Sequence, residues 1–229
     1  MAQSDYTVAV VRDDPISQSL DKLRVIRKMG AERFHANGCP FAFDVLSFWQ
    51  WSSSDLVSNA MRGVLAEYLV ACALGVADGT RVEWDAYDLK TPGGVKVEVK
   101  SAAYLQSWKQ TRLSIICFDV RPTVGWDAST NGFGPERKRQ ADVYVFALLK
   151  HQEKATLDPL NVEQWDFYVL PTAVLNEKCP SQQQMSLTTL LRLQPIKASF
   201  GQIATVIANM CQNSSNTLAS YETVGGDIG

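Results

Sequence analysis

Apolar residues recur at helical spacing between about Ile16 and Phe34, where Leu20, Leu23, Val25, Ile26 and Met29 supply most of one side. Gly38, Cys39 and Pro40 break that pattern, and a short aromatic stretch, FAFDVLSFWQW, follows. Ser52, Ser53 and Ser54 offer an N-cap and Asp55 favours a helix N-terminus, so the spacing predicts a helix from about Asp55 to Leu74 with Gly75 as its C-cap. The period then changes to two. RVEWD, YDLKT and VKVEVK read as three short strands, the last two joined through Pro92, Gly93 and Gly94, a strong hairpin signal. SAAYLQSWKQ reads as a short helix or ordered loop and LSIICFDV as a buried strand. The glycines and polar residues of Pro122–Gln140 predict a long mobile loop. ADVYVFALL is the strongest buried-strand pattern in the chain, and DFYVLPT is another. Helices are expected near residues 187–193 and 201–211, and the tail from Gln212 is polar. No internal repeat interrupts this order. Helices, a β-meander, then strands alternating with loops and helices imply an α/β or α+β fold, a mixed sheet flanked by helices.

The 229 residues suffice for one domain, read as an N-terminal helical extension (1–54), a core (55–172) and a C-terminal elaboration (173–229). Hydrophobic residues at 46% and charged residues at 20% are ordinary for a globular protein with a real core. No apolar run approaches the ~20 residues that span a membrane, and the N-terminus lacks the pattern of a secretion signal. The five cysteines form no C-x-x-C pair and read as reduced core thiols. A cytoplasmic location is the expectation. The net charge of −2 argues against a non-specific coat of nucleic acid, though not against a local basic groove. Three basic side chains stand against six acidic ones from Ala155 onward, so the positive excess lies earlier, with the motifs.

Alternation within VKVEVK turns Val95, Val97 and Val99 to one face and Lys96, Glu98 and Lys100 to the other. Asp88 precedes the turn on the partner strand, within reach of Glu98. Two carboxylates and an ammonium then meet at one place. Hard cations such as Mg²⁺ take oxygen ligands, polarise a phosphoryl oxygen and lower the pKa of bound water. A neighbouring lysine orients that water or stabilises transition-state charge. Such a trio suits phosphodiester hydrolysis, although any amphipathic strand on a solvated face has the same alternation. Glu67, on the apolar helix before the meander, either faces solvent or points toward the same site, and Ser101, Tyr104 and Gln106 follow Lys100 along the same edge. Asp85 is a rival to Asp88, with the opposite parity on a continuous strand.

From Arg62 to Gln110, about a quarter of the chain, this order of parts resembles the core of the PD-(D/E)XK nuclease superfamily, which includes restriction endonucleases and archaeal Holliday-junction resolvases. That core is a helix bearing a Glu, a meander carrying Asp and Glu-x-Lys, then a helix and a further strand. The resemblance implies catalytic roles for Asp88, Glu98, Lys100 and Glu67. Asp88, Glu98 and the Val99 carbonyl would hold Mg²⁺ (or Mn²⁺), Lys100 would position or activate water, and Glu67 would hold a second metal or a metal-bound water. Tyr87 stands where the family has a proline. The implied activity is a metal-dependent nuclease hydrolysing double-stranded DNA, an endonuclease of restriction, defence or repair, with a homodimer as the expectation for cutting both strands.

Arg137, Lys138 and Arg139 in PERKRQ are candidates for tracking a phosphate backbone, with Arg62, Lys109 and Arg112 weaker ones. The six tryptophans read mostly as core or edge packing. No P-loop, G-x-S-x-G elbow or G-x-G-x-x-G fingerprint occurs, and two histidines leave little for His-based chemistry. The competing expectation is a catalytically inactive nuclease-fold module that binds nucleic acid or protein.

Overall fold

A computed structural model describes residues 23–82, 85–127, 132–210 and 212. In chain order its elements are β1 (Arg33–Ala36), β2 (Cys39–Asp44), α1 (Val45–Ser53), α2 (Asn59–Leu74), β3 (Leu89–Lys90), β4 (Lys96–Ala103), β5 (Cys117–Asp119), β6 (Thr123–Asp127), β7 (Gly132–Lys138), β8 (Val143–Leu149), β9 (Trp165–Pro171), α3 (Thr172–Lys178), β10 (Gln184–Ser186), α4 (Leu187–Arg192) and β11 (Ile196–Ala198). A last helix, α5, covers residues 203–210. The class is the mixed α+β arrangement expected.

A five-stranded sheet in the order β11-β9-β8-β4-β3 forms the centre. β4 and β8 run parallel, with Val97 opposite Val143 and Lys100 opposite Phe146, and the remaining pairs are antiparallel. All seven residues of β8 are buried because both faces of the sheet are covered, so its apolar run has no polar alternation. On one face Val97, Val99, Val145 and Val169 pack with Ala66 and Val70 of α2 and Ile203 and Ile207 of α5. On the other, Tyr144, Phe146, Tyr168 and Leu170 pack with Phe118, Leu175, Met185 and Leu190. Among the described residues no helix is long and apolar enough to cross a membrane.

Several expectations are corrected. Of the helix expected over Ile16–Phe34, residues 16–22 lie outside the described part; residues 23–29 are not helical and β1 begins at Arg33. Helical spacing without an intramolecular apolar surface to meet does not hold a helix, and here Leu23, Val25, Ile26 and Met29 are exposed. The aromatic stretch after Pro40 divides into β2 and α1, with Asp44 forming a capping box with Ser47. α1 extends through Ser53, so the next helix starts at Asn59 with Ser58, not Ser52–Ser54, as its cap; Gly75, at φ 69°, closes it as expected. RVEWD forms no strand in its described residues, and YDLKT contributes only Leu89 and Lys90. LSIICFDV is reduced to three paired residues. Pro122–Gln140 is not a mobile loop: β6 and β7 pair antiparallel on either side of residues 128–131, and Gln140 lies against Gly125, where a Cβ would meet its amide at 2.9 Å. Cys39, Cys72 and Cys117 are free thiols as expected, but they are exposed and not in the core. Trp165 is buried, whereas Trp51 and Trp108 stand in solvent.

Candidate active site

The site grows from the end of a two-residue strand. The turn after Lys90 returns through Gly94 at φ 87°, a left-handed conformation that favours glycine, and is closed by Thr91 N–H donating to the Val95 carbonyl at 2.9 Å. Leu89 then pairs with Val97 and Lys90 with Lys96. Continuing this register sets Asp88 beside Glu98.

The backbone of β4 explains what fills the edge beyond β3. The N–H and C=O of one strand residue point to the same side. Val95 faces β3, and Lys96 faces β8, accepting the Asp142 N–H at 2.9 Å. Val97 and Val99 therefore point toward β3. At Val99 that strand has ended, and the Val99 N–H donates to Asp88 Oδ2 at 2.7 Å. The Val99 carbonyl looks out along the same edge, so Asp88 and a backbone oxygen occupy the place where β3 leaves off.

Glu98 and Lys100 project to the opposite face from Val97 and Val99. Lys100 Nζ donates to Glu98 Oε1 at 2.6 Å, with side-chain exposures of 29% and 18%. Both are sheltered, yet both retain an opening to solvent. Glu98 sits opposite Tyr144 of β8. Burial first, and the Glu98 charge second, push the Tyr144 phenol well above its ordinary value, so it stays protonated.

Electrostatics single out Asp88. Burial pushes its carboxyl up to about 7, the Glu98 charge adds to that, the Val99 N–H opposes it, Glu67 raises it further and Lys100 lowers it. The charge of Lys100 is opposed by burial, but attraction to Glu98 and the hydrogen bond it donates to that carboxylate, then attraction to Asp88 and Asp119, hold the ammonium above its ordinary value. Among these neighbours Lys100 is held as a cation. Asp119 of β5 is resisted by burial but held below the usual carboxylate range by hydrogen bonds from Arg121, with Lys100 contributing.

Glu67 lies on α2 at the same end of the sheet, close enough for its charge to act on Asp88. Its carboxylate is paired with Arg81, Nη2 donating to Oε1 at 3.0 Å. The structure thus brings Asp88, Glu98, Lys100 and the Val99 backbone together and places Glu67 beside them. Asp85 lines the neighbouring cleft along with Asp88 and Glu67. Sequence reasoning missed Asp119 and Tyr144. The apolar patterns of their strands hid both, and only the pairing of β4 with β8 and the fold-over of β5 bring them near.

The basic candidates separate. Arg137 and Lys138 are exposed on β7. Arg139 is 6% exposed, and its guanidinium donates to the carbonyls of Val120 at 2.8 Å, Cys179 at 2.8 Å and Gln182 at 3.2 Å and to Asn176 Oδ1 at 2.8 Å. It ties β5 to α3 and the following turn, away from solvent. Arg62 is likewise buried, bonded to Ser101, Gln106, Asn59 and the Val57 carbonyl. Gln106 is thereby part of a structural network, and Lys109 and Arg112 remain exposed on the loop after β4.

Among the described residues no group of three or more His, Cys, Asp or Glu side chains converges on one point. A cation would rest on two carboxylates, Asp88 and Glu98, and one backbone oxygen. The fit is electrostatic: a carboxyl driven to about 7 by burial first, and by the charges of Glu98 and Glu67 after it, is a locus where a cation offsets the cost of negative charge.

A protein-family model, that of bacteriophage T4 endonuclease IV, matches residues 44–188, well over half of the chain and all of the elements from α1 to β10. No curated protein matches the sequence.

Proposed function

The chain belongs to the bacteriophage T4 endonuclease IV family and is a nuclease acting on DNA, and we propose that it is a metal-dependent endonuclease of the PD-(D/E)XK type cutting at Asp88, Glu98 and Lys100. The observation that carries the reading is the clasp of Asp88 on the Val99 N–H at the point where β3 ends, with the Glu98–Lys100 pair projecting alongside. The order of parts also supports it: a Glu-bearing helix, an Asp before a tight turn, Glu-x-Lys on the next strand, and a further strand parallel to it. One departure from that superfamily's pattern is that, among the described residues, β5, β6 and β7 and no helix fill the connection from β4 to β8.

In this reading Asp88, Glu98 and the Val99 carbonyl hold Mg²⁺ or Mn²⁺. The ion bound there supplies a Lewis acid for the scissile phosphate and a lowered pKa for water. Lys100, kept cationic by Glu98, donates hydrogen bonds to the attacking water or to the phosphoryl oxygen as charge develops. It orients and stabilises without removing a proton. Tyr144, opposite Glu98 on β8, stays protonated and adds no negative charge to the site. Glu67, with Arg81, stands at the edge of the site and adds negative charge toward Asp88. Arg137 and Lys138 supply phosphate contacts on β7. Double-stranded DNA as substrate, a homodimer and a cytoplasmic setting belong to the same proposal.

The test is incubation of purified protein with supercoiled plasmid and with single-stranded DNA plus Mg²⁺ or Mn²⁺, beside EDTA and Lys100→Ala controls. Metal-dependent cleavage abolished in Lys100→Ala is the expected result. Cleavage that persists in EDTA removes the metal, and cleavage that persists in Lys100→Ala removes the site. No cleavage of any DNA, with no metal binding by calorimetry, leaves a DNA-binding module.

A further inference from the structure

A cleft of about 390 Å³ opens between α2 and residues 76–82 and 85–90, and Asp88 forms part of its wall. From its shape and chemistry we infer that it takes up one unstacked nucleobase of the strand being cut and so fixes which base flanks the scissile phosphate. The inference rests on the nuclease reading, because Asp88, shared by the cleft wall and the candidate metal site, is what sets the cleft beside the reacting phosphate.

Size excludes a duplex. The volume lies at the low end of the roughly 300–1,000 Å³ of pockets that enclose small ligands. Its lining suits a neutral, planar, polar-edged ring. Val64 and Val76 supply apolar wall, with Leu89 at the end nearest the sheet. Tyr68 stands on α2 at the cleft with 54% of its surface exposed, available as a stacking face. The guanidinium of Arg27 donates to the Ala77 and Asp78 carbonyls and that of Arg81 to Glu67, and Asp85 and Asp88 add two carboxyl groups, so the cleft is a poor seat for phosphate.

The Glu67–Arg81 pair provides the reading edge. Arg81 Nη2 donates to Glu67 Oε1 at 3.0 Å, so carboxylate acceptors and guanidinium donors lie side by side in the wall. A base edge is read by such juxtaposed donors and acceptors. Arg27 closes the far rim, its Nη1 donating to the carbonyls of Ala77 at 3.2 Å and Asp78 at 2.7 Å. That brace ties the 76–82 segment to the stretch that precedes β1. Unstacking a base to reach such a pocket is the usual route by which enzymes inspect one nucleotide at a time.

Two measurements test it. Cleavage positions are mapped on a random-sequence oligonucleotide pool for the wild type, Val64→Phe, which fills the cleft, and Tyr68→Ala, with melting temperatures as the folding control. The wild type is expected to show enrichment of particular bases at one position beside the cut. Folded Val64→Phe should lose that enrichment about tenfold, as should Tyr68→Ala through loss of stacking. Equal enrichment in all three proteins, or none in the wild type, overturns the inference. If the wild type cuts nothing, the nuclease reading fails and the cleft is judged by binding alone. An oligonucleotide carrying 2-aminopurine is titrated with Lys100→Ala and with Lys100→Ala/Val64→Phe. A rise in emission with the first and not the second supports base capture; identical emission refutes it.

Discussion

Replacing Asp88 with Asn removes one negative charge from a place that resists it, and the cost of that charge can be worked out. The carboxyl is ordinarily near 3.8 and is pushed to about 7 in the fold, by burial first and by Glu98 second, with Glu67 adding and the Val99 N–H and Lys100 opposing. At about 1.36 kcal/mol per tenfold change in proton affinity, this difference corresponds to roughly 4 kcal/mol, reduced to about 2–4 kcal/mol once local relaxation and water penetration are allowed. A folded-state pKa raised above the unfolded one gives stability that is full below the unfolded value and lost as pH rises through the folded one. Here the window runs from about pH 4 to pH 7. Asn does not titrate, and its side-chain oxygen still accepts the Val99 N–H. Asp88→Asn minus wild type should therefore be close to zero near pH 4, widen on raising the pH, and level off above pH 7 with the variant the more stable. For a chain of this size the plateau corresponds to roughly 5–10 °C in melting temperature. The assay is thermal unfolding by circular dichroism from pH 4 to 8.5 in EDTA, the variant read against the wild type so that other titrating groups cancel. A gap that is absent, or constant with pH, refutes the reasoning. Added Mg²⁺ should narrow the plateau by stabilising only the wild type.

Other consequences are more local. Lys100→Ala should lower cleavage by about a hundredfold or more with a melting temperature near that of the wild type, measured by initial rates on plasmid DNA. Arg139→Ala should destabilise by about 2–4 kcal/mol, read from urea unfolding, because the buried Val120 carbonyl and the half-buried Gln182 carbonyl lose the guanidinium, while the Cys179 carbonyl keeps only the Gln182 N–H; a neutral result means that water replaces the guanidinium. Arg137→Ala with Lys138→Ala should weaken DNA binding evenly across sequences and reduce the salt dependence, log K against log salt, by about 1–2; an unchanged slope removes β7 from the DNA path. Leu149→Ala, at a fully buried position of β8, should cost about 2–5 kcal/mol in the same unfolding assay.

Much of this arrangement is written locally. The alternation of Lys96 to Lys100 by itself puts Glu98 and Lys100 on one face and the valines on the other, because successive strand side chains point oppositely. The Pro-Gly-Gly turn brings Asp88 back beside them, and Gly94 takes the left-handed angle that the turn needs. The unbroken apolar runs of β8 and β9 likewise announce strands covered on both faces. These are consequences of covalent geometry and short-range pairing, and the sequence by itself determined them.

Other features depend on which surfaces meet, and only the tertiary structure decided them. Arg137, Lys138 and Arg139 are adjacent and chemically alike, yet two face solvent and the third is buried, because the chain turns there against α3 and presents several carbonyls and the Asn176 amide oxygen to the guanidinium. The helical spacing near Leu23 to Met29 has no apolar neighbour within the described residues, and those side chains remain exposed. The glycine-rich stretch from Pro122 to Gln140 pairs as β6 and β7, a long-range outcome that turn residues do not disclose. Tyr144 and Asp119 reach the site only because β4 lies parallel to β8 and β5 folds over it. Even the raised affinity of Asp88 for its proton comes first from depth and only then from the neighbouring Glu98, with a smaller push from Glu67 on a separate helix. Periodicity fixes the direction of a side chain on its own element; desolvation and the company of other charges are set by elements distant in the chain.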